Sequence, residues 1–199
     1  MDLTQKLDNN LNVFPGDPEF KIANFKLPDN DKSYINNISG GLHSGTHIDA
    51  PLHYIKNGKM VSALKLDNLI GKSSILECSS NEKEIHIEKV KNPLEKIVII
   101  KTSWCDNFNS DEYFTNNPYL SYEFTESLLE KNIQGIAIDT PSVDKYGKSE
   151  IHELLLENNI WIVENLTNTE KLVKKEYNSY FIPMKIASEA SFIRAFVEK

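Results

Sequence analysis

The chain has 199 residues, 40% of them hydrophobic and 26% charged, with a formal net charge of −7. That length suits one domain with a substantial core and is short for two, so residues 1–199 are read as a single domain. The acidic balance argues against nucleic acid, which needs clustered Lys and Arg, and no apolar run approaches the roughly 18 to 20 residues of a membrane span.

Met1-Asp-Leu-Thr-Gln-Lys6 lacks the apolar stretch of a secretory signal. Cys78 and Cys105 suit reduced thiols, so a cytoplasmic protein is the expectation. The first element predicted along the chain is a strand over Phe20–Lys26, read from apolar content bounded by turn residues. Further strands are predicted over Ser73–Cys78, Ile97–Lys101, Gly135–Asp139, Ile160–Glu164, Tyr180–Ile186 and Phe192–Val197. Ser121 can cap a helix running to about Lys131, with Phe124 and Leu128 one turn apart. A second helix is predicted over about Glu150–Asn158, where Leu154, Leu155 and Glu157 are good helix formers. Strands alternating with helices give an α/β domain with a mixed or barrel-like sheet. The runs Ile97–Ile100 and Ile136–Ile138 are apolar on both faces and read as central strands.

Between the first two strands lies the segment that carries chemistry. Three of the five histidines fall in His43-Ser-Gly-Thr-His47-Ile-Asp49-Ala-Pro-Leu-His53. A helix would turn Asp49 and His53 away from His43 and His47, and Gly45 and Pro51 oppose one. In an extended ribbon the odd-numbered residues 43, 47, 49 and 53 share a face, presenting three imidazoles and a carboxylate in a line. Mixed imidazole and carboxylate ligands suit Zn²⁺, Mn²⁺ or Fe²⁺ better than Ca²⁺ or Mg²⁺. No cysteine joins the group, which favours an open reactive site over a closed structural one.

This string resembles the H-x-G-T/A-H-x-D-x-P-x-H signature of the metal-dependent cyclase family, which includes bacterial kynurenine formamidases and isatin hydrolases. The resemblance extends to Asp2-Leu-Thr4, to Pro15-Gly-Asp-Pro18, to Gly135-Ile-Ala-Ile-Asp139-Thr-Pro-Ser-Val-Asp144, and to the surroundings of His152 and Glu164. It implies a swivelling β/β/α-like fold, a homodimer or homotetramer, and a site for two divalent cations, zinc or else manganese. His43 and His47 would bind the first cation and His152 the second. Asp49 and Glu164 would contact both, and His53 would stay off the metals as acid and base. The reaction implied is cleavage of a formamide or cyclic amide C–N bond by metal-activated hydroxide. An unperturbed His53 pKa of about 6.5 suits it to protonate the leaving nitrogen. Lactone or cyclic imide hydrolysis, ring closure, and metal binding without catalysis are the other readings.

The family's kynurenine formamidases carry a tryptophan before the P-G-D segment that packs on an aromatic substrate. Phe14 stands there in this chain, able to stack on a ring but without an indole N–H. Phe14 reads equally as a core residue, and Trp104 and Tyr113 are further pocket candidates. Arg194, the one arginine, reads as a surface residue rather than a carboxylate clamp. Asp139 could orient a ligand histidine or satisfy backbone N–H groups in the turn before Pro141. Leu156 stands where the zincin motif needs its second histidine, which excludes that motif for His152-Glu153. His86 reads as exposed.

Overall fold

Seven strands close on themselves in the order β10-β11-β3-β9-β8-β6-β4. The structure is a computed structural model that describes residues 1–27, 32–79, 81–86 and 93–198. The elements are β1 (Lys21–Lys26), β2 (Ile35–Ser39), β3 (His47–Asp49), α1 (Leu66–Leu69), β4 (Ile70–Glu77), β5 (Glu84–Ile85) and β6 (Ile97–Lys101). They continue with β7 (Tyr119–Leu120), α2 (Tyr122–Leu129), β8 (Gly135–Ile138), α3 (Glu150–Glu157), β9 (Trp161–Glu164), β10 (Glu176–Pro183) and β11 (Ala190–Glu198).

Strands β4, β6, β8 and β9 run parallel. A parallel pair needs a crossover, and α2 and α3 supply it between β6 and β8 and between β8 and β9. Strand β3 and the β10–β11 hairpin close the barrel through antiparallel pairings. The expected barrel-like mixed sheet with helices is therefore present.

Period-two alternation divides the side chains of these strands between two cores. Ile97 and Ile99, Ala137, Trp161 and Val163, and Ile48 join Phe181, Ala195 and Val197 in the core that fills the barrel. Their neighbours Val98, Ile100, Ile136, Ile138 and Ile162 pack outside it against Phe124 and Leu128 of α2 and Ile151, Leu155 and Leu156 of α3. Both β6 and β8 are buried throughout, which is why their sequences are apolar at every position. Ser121 Oγ accepts from the Phe124 amide at 3.1 Å, capping α2 as expected.

Two expectations shift. The strand expected at Tyr180–Ile186 is Glu176–Pro183. Its first half alternates exposed Glu176 and Asn178 with buried Tyr177 and Ser179, a one-sided pattern that an apolar-run criterion misses. The strand at Phe20–Lys26 forms as β1, but among the described residues it pairs only with β2, as a ribbon apart from the barrel. No disulfide joins Cys78 and Cys105. Among the described residues, no helix is long and apolar enough to cross a membrane.

Candidate functional site

Because Ile48 and Val163 face into the barrel, the alternating residues of β3 and β9 face outward. His47 lies opposite Glu164 in the register, and Asp49 follows two residues along. Helix α3 passes over this face and delivers His152. His47, Asp49, His152 and Glu164 are 2%, 0%, 5% and 4% exposed, so water cannot satisfy them and their partners must be protein groups or ions.

Hydrogen bonds settle the ring orientations. His47 Nδ1 lies 2.9 Å from the Gly45 carbonyl, and His152 Nδ1 lies 2.7 Å from Asp144 Oδ2. Both oxygens accept only, so each Nδ1 carries the proton and each Nε2 is left with a lone pair. Those lone pairs point at carboxylates. His47 Nε2 is 3.5 Å from Asp49 Oδ1 and 3.5 Å from Glu164 Oε2. His152 Nε2 is 3.6 Å from Asp49 Oδ2 and 3.2 Å from Glu164 Oε1. His43 Nδ1 is 3.0 Å from Asp49 Oδ1. Each carboxylate thus turns one oxygen towards His47 and the other towards His152.

Of these buried atoms, His47 Nε2 and both Asp49 oxygens have no hydrogen-bond partner. Acceptors converging without a donor are unfavourable unless a cation or added protons lie among them. Ligand atoms bound at about 2.0 to 2.1 Å around one tetrahedral ion lie about 3.3 Å apart, which matches the separations here. The residues present therefore fit divalent cations. In the protein without metal, protons fill that role. Burial alone would lower the His47 pKa, but the Asp49 and Glu164 carboxylates raise it to about 9. His152 is likewise raised, burial being outweighed by Glu164 and Asp144. Burial opposes the ionised form of Asp49, yet His47 and His43 hold it well below the usual carboxylate range.

The single extended ribbon expected over residues 43–53 does not form. Only His47–Asp49 is strand, while Pro51–His53 is a turn of 3₁₀ helix. A ribbon would separate residues 43 and 53 by about 33 Å, whereas the His43 and His53 rings are 4.2 Å apart. The chain folds back at both ends. Gly45 takes a left-handed φ of 60° before the strand, which glycine adopts without steric cost, and Pro51 starts the 3₁₀ turn after it. Turns, rather than shared parity, gather the outer two histidines.

His53 also departs from expectation. Burial lowers its pKa to about 4, with the Asp49 charge opposing, so the ring is neutral at neutral pH and accepts a proton before it can give one. It forms a trio with His43 and Asp49 whose ligand atoms lie within 4.8 Å of one another, but no ion pair links His53 to either carboxylate among the described residues.

A cleft of about 240 Å³ opens onto these groups, lined also by Phe14, Asp17, Tyr54, Phe114, Lys148 and Asn165. Phe14 is half-buried, with Phe114 edge-on at 5.7 Å and Tyr146 at 5.7 Å, so it is both cleft wall and part of an aromatic cluster. Trp104 and Tyr113 are buried in that cluster. Arg194 is a surface residue, paired with Asp2, and His86 is exposed. Asp139 touches no site histidine. It accepts from the Thr102 and Ser103 amides and from the Thr102 and Thr169 hydroxyls.

Asp144, which sequence reasoning passed over, orients the histidine instead. Beyond the His152 ring it accepts from the Ile151 and His152 amides at 2.8 and 2.9 Å. An acidic residue ahead of a helix is a start signal, but four residues separate Asp144 from Ser149 at the helix cap, so spacing alone does not reveal it. Nothing in the sequence marks Tyr54, Asn165 or Lys148 as cleft residues.

A kynurenine formamidase of Bacillus thuringiensis subsp. konkukian (strain 97-27) is 28% identical over 204 residues, spanning 100% of this chain and 96% of its own. One from Erythrobacter litoralis (strain HTCC2594) is 26% identical over 202 residues, spanning 100% and 93%. An isatin hydrolase bound to the product analogue thioisatinate superposes with a TM-score of 0.88 at 24% identity, covering 99% of this chain and 90% of that one. A potential metal-dependent hydrolase with cyclase activity superposes at 0.83 and 21% identity, covering 99% and 96%. These structural likenesses establish the fold. The sequence profile of the putative cyclases matches residues 1–145, most of the chain, and this protein belongs to that cyclase family.

Proposed function

We propose that this protein is a metal-dependent hydrolase that cleaves the C–N bond of a small formamide or cyclic amide. The observation that carries this reading is the convergence of His47 Nε2 and both Asp49 oxygens, buried and without hydrogen-bond partners, beside an open cleft lined by His43, His47, His53, His152 and Glu164. Full-length similarity to kynurenine formamidases supports the amide as substrate, and the aromatic wall of Phe14 and Phe114 supports an aryl group on it.

His43 and His47, with an oxygen each from Asp49 and Glu164, would hold one cation. His152, with the other oxygens of the same two carboxylates, would hold a second cation. Zinc is the first expectation and manganese the second. When bound, such cations lower the pKa of water and polarise a carbonyl. Asp144 keeps the His152 Nε2 lone pair turned to the site, and the Gly45 carbonyl does so for His47. The Val143 amide donates to Glu164 Oε1 at 2.9 Å, which fixes that carboxylate. His53, neutral at the cleft wall, takes the proton that the attacking water loses and delivers it to the departing nitrogen, which cannot leave as an anion. The family resemblance implies a homodimer or homotetramer, and the two cysteines, free and buried, suit the cytoplasm.

Elemental analysis of the purified protein, followed by assays on formanilide, N-formylkynurenine and isatin with added Zn²⁺ or Mn²⁺, tests this. Stoichiometric metal and formamide turnover are expected. His53→Ala should keep the metal and lose about 10²- to 10⁴-fold in kcat. Full metal occupancy with no turnover of any carbonyl substrate, or an equally active His53→Ala enzyme, overturns the reading.

A further inference from the structure

We infer that the side-chain amide of Asn165 is the hydrogen-bond donor that receives the oxygen of the scissile carbonyl, with Tyr113 as its positioning residue. The inference rests on the amide-hydrolase reading above and assigns a role within that site.

Asn165 follows Glu164 directly, is 3% exposed and lines the cleft. Its backbone is fixed on both sides. Its amide donates to the Thr140 carbonyl at 2.9 Å, and its carbonyl accepts from Thr46 Oγ1 at 2.7 Å. Its φ of 59° lies in the left-handed region, which asparagine tolerates better than most residues. The side chain is fixed as well, since Oδ1 accepts from the Tyr113 hydroxyl at 2.8 Å.

Tyr113 is fully buried, with Phe108 and Phe114 each edge-on at 5.0 Å. Burial pushes its phenol pKa well above the usual value, so the hydroxyl keeps its proton and donates. With Oδ1 so engaged, the Nδ2 hydrogens are left for the cleft. Turning the amide over would aim Oδ1 at a cleft already lined by Glu164 and Asp17, placing an acceptor among carboxylates.

A contrast within the same protein separates this asparagine from a structural one. Asn117, 4% exposed, spends its Nδ2 on the Pro118, Ser142 and Asp144 carbonyls at 2.9, 3.2 and 3.2 Å. Asn165 Nδ2 has no such acceptor among the described residues, and it is not among the enclosed unpartnered atoms. A rigidly oriented donor left open to the cleft beside Glu164 suits an oxygen that gains negative charge as water adds to the carbonyl. Such a donor acts most strongly in the transition state because it needs no reorganisation.

The test uses the zinc-loaded full chain with formanilide and thioformanilide. Asn165→Gly keeps the left-handed backbone without the donor, and Asn165→Asp keeps the shape but presents an acceptor. Both should lose about 10²-fold in kcat, Asp at least as much as Gly, with KM within about threefold, unchanged zinc content and a diminished preference for oxygen over sulfur. Tyr113→Phe should lose less, again in kcat with a diminished oxygen preference, which a merely structural role would leave intact. Variants within twofold of wild type in kcat, or a loss explained by missing zinc, overturn the assignment. Should the wild type cleave no amide, that result counts against the proposed reaction. The Asn165 assignment then stands or falls on binding: formate should shift the ¹⁵N–¹H side-chain signals that Asn165→Gly removes, and unmoved signals overturn it.

Discussion

Along β3 and β9, Ile48 and Val163 point into the barrel and are sealed among apolar neighbours. One residue away on the same strands, His47, Asp49 and Glu164 are sealed just as deeply among charges. Each inward side chain contributes roughly 1.5 to 3 kcal/mol by burial. Each buried ion costs several kcal/mol unless its partners are well arranged. The outward face therefore draws its order from the inward one. A barrel held by apolar packing keeps in place a group of acceptors that would otherwise repel each other or take up protons. Because the two faces share backbone but not forces, a change that the barrel survives should leave the charged face of each folded molecule intact.

The largest expected effect belongs to the inward face. A Cβ on Gly135 would fall 2.0 to 2.2 Å from ring carbons of Trp161, its partner across the β8–β9 pair. Gly135→Ala should therefore cost about 3 kcal/mol and lower the melting temperature by roughly 6 to 12 °C. The metal bound per folded molecule should not change. A variant that melts normally but has lost its metal would break the separation between the faces.

Asp144→Asn addresses the outward face. It removes the carboxylate that holds the His152 ring, and outer partners of this kind are worth about 10- to 100-fold in metal affinity. Chelator competition, run below the melting temperature of the variant, should show that loss, and the metal-free protein should melt lower as well because Asp144 is the buried partner of His152. Unchanged affinity would mean that α3 alone orients His152.

A further effect is a tilt with pH in the chelated protein. The folded pKa of His47, about 9, lies above its unfolded value of about 6.5. Its contribution is complete below 6.5 and is lost as pH rises through 9. His53, lowered to about 4, contributes above 6.5 and loses that contribution as pH falls through 4. Metal-free stability should thus decline on both sides of pH 6.5. A bound cation takes the place of the His47 proton, so the alkaline decline should disappear in the loaded protein. Thermal melts from pH 4 to 9, with and without chelator, measure both slopes. Parallel curves would show that His47 and the metal do not compete.

Much of this architecture was legible in the residues. Ile97–Lys101 announced a central strand because every position is apolar or long-chained, and Ser121 announced a helix start because its hydroxyl can accept from the third amide on. The five ligand candidates were legible through residue type and the family's motif. The geometry proposed for His43 to His53 was not, because parity holds only while a segment stays extended, and Gly45 and Pro51 allow it to turn. His53 was assigned an ordinary pKa because burial, which dominates its shift, leaves no mark in sequence. The sequence left Tyr113 only a pocket candidate and did not mark Asp144 or Asn165, because the bonds from His152 to Asp144 and from Tyr113 to Asn165 form only in the folded chain.

What the sequence determined by itself was the chemistry available and the local alternation that sends Ile48 inward and His47 and Asp49 outward, since side-chain direction along a strand follows from covalent geometry. Only the closed barrel decided which distant groups meet. Pairing β3 against β9 sets Glu164 opposite His47, and packing α3 over that pair brings in His152. Those contacts depend on strand register and helix position, which the whole core fixes together.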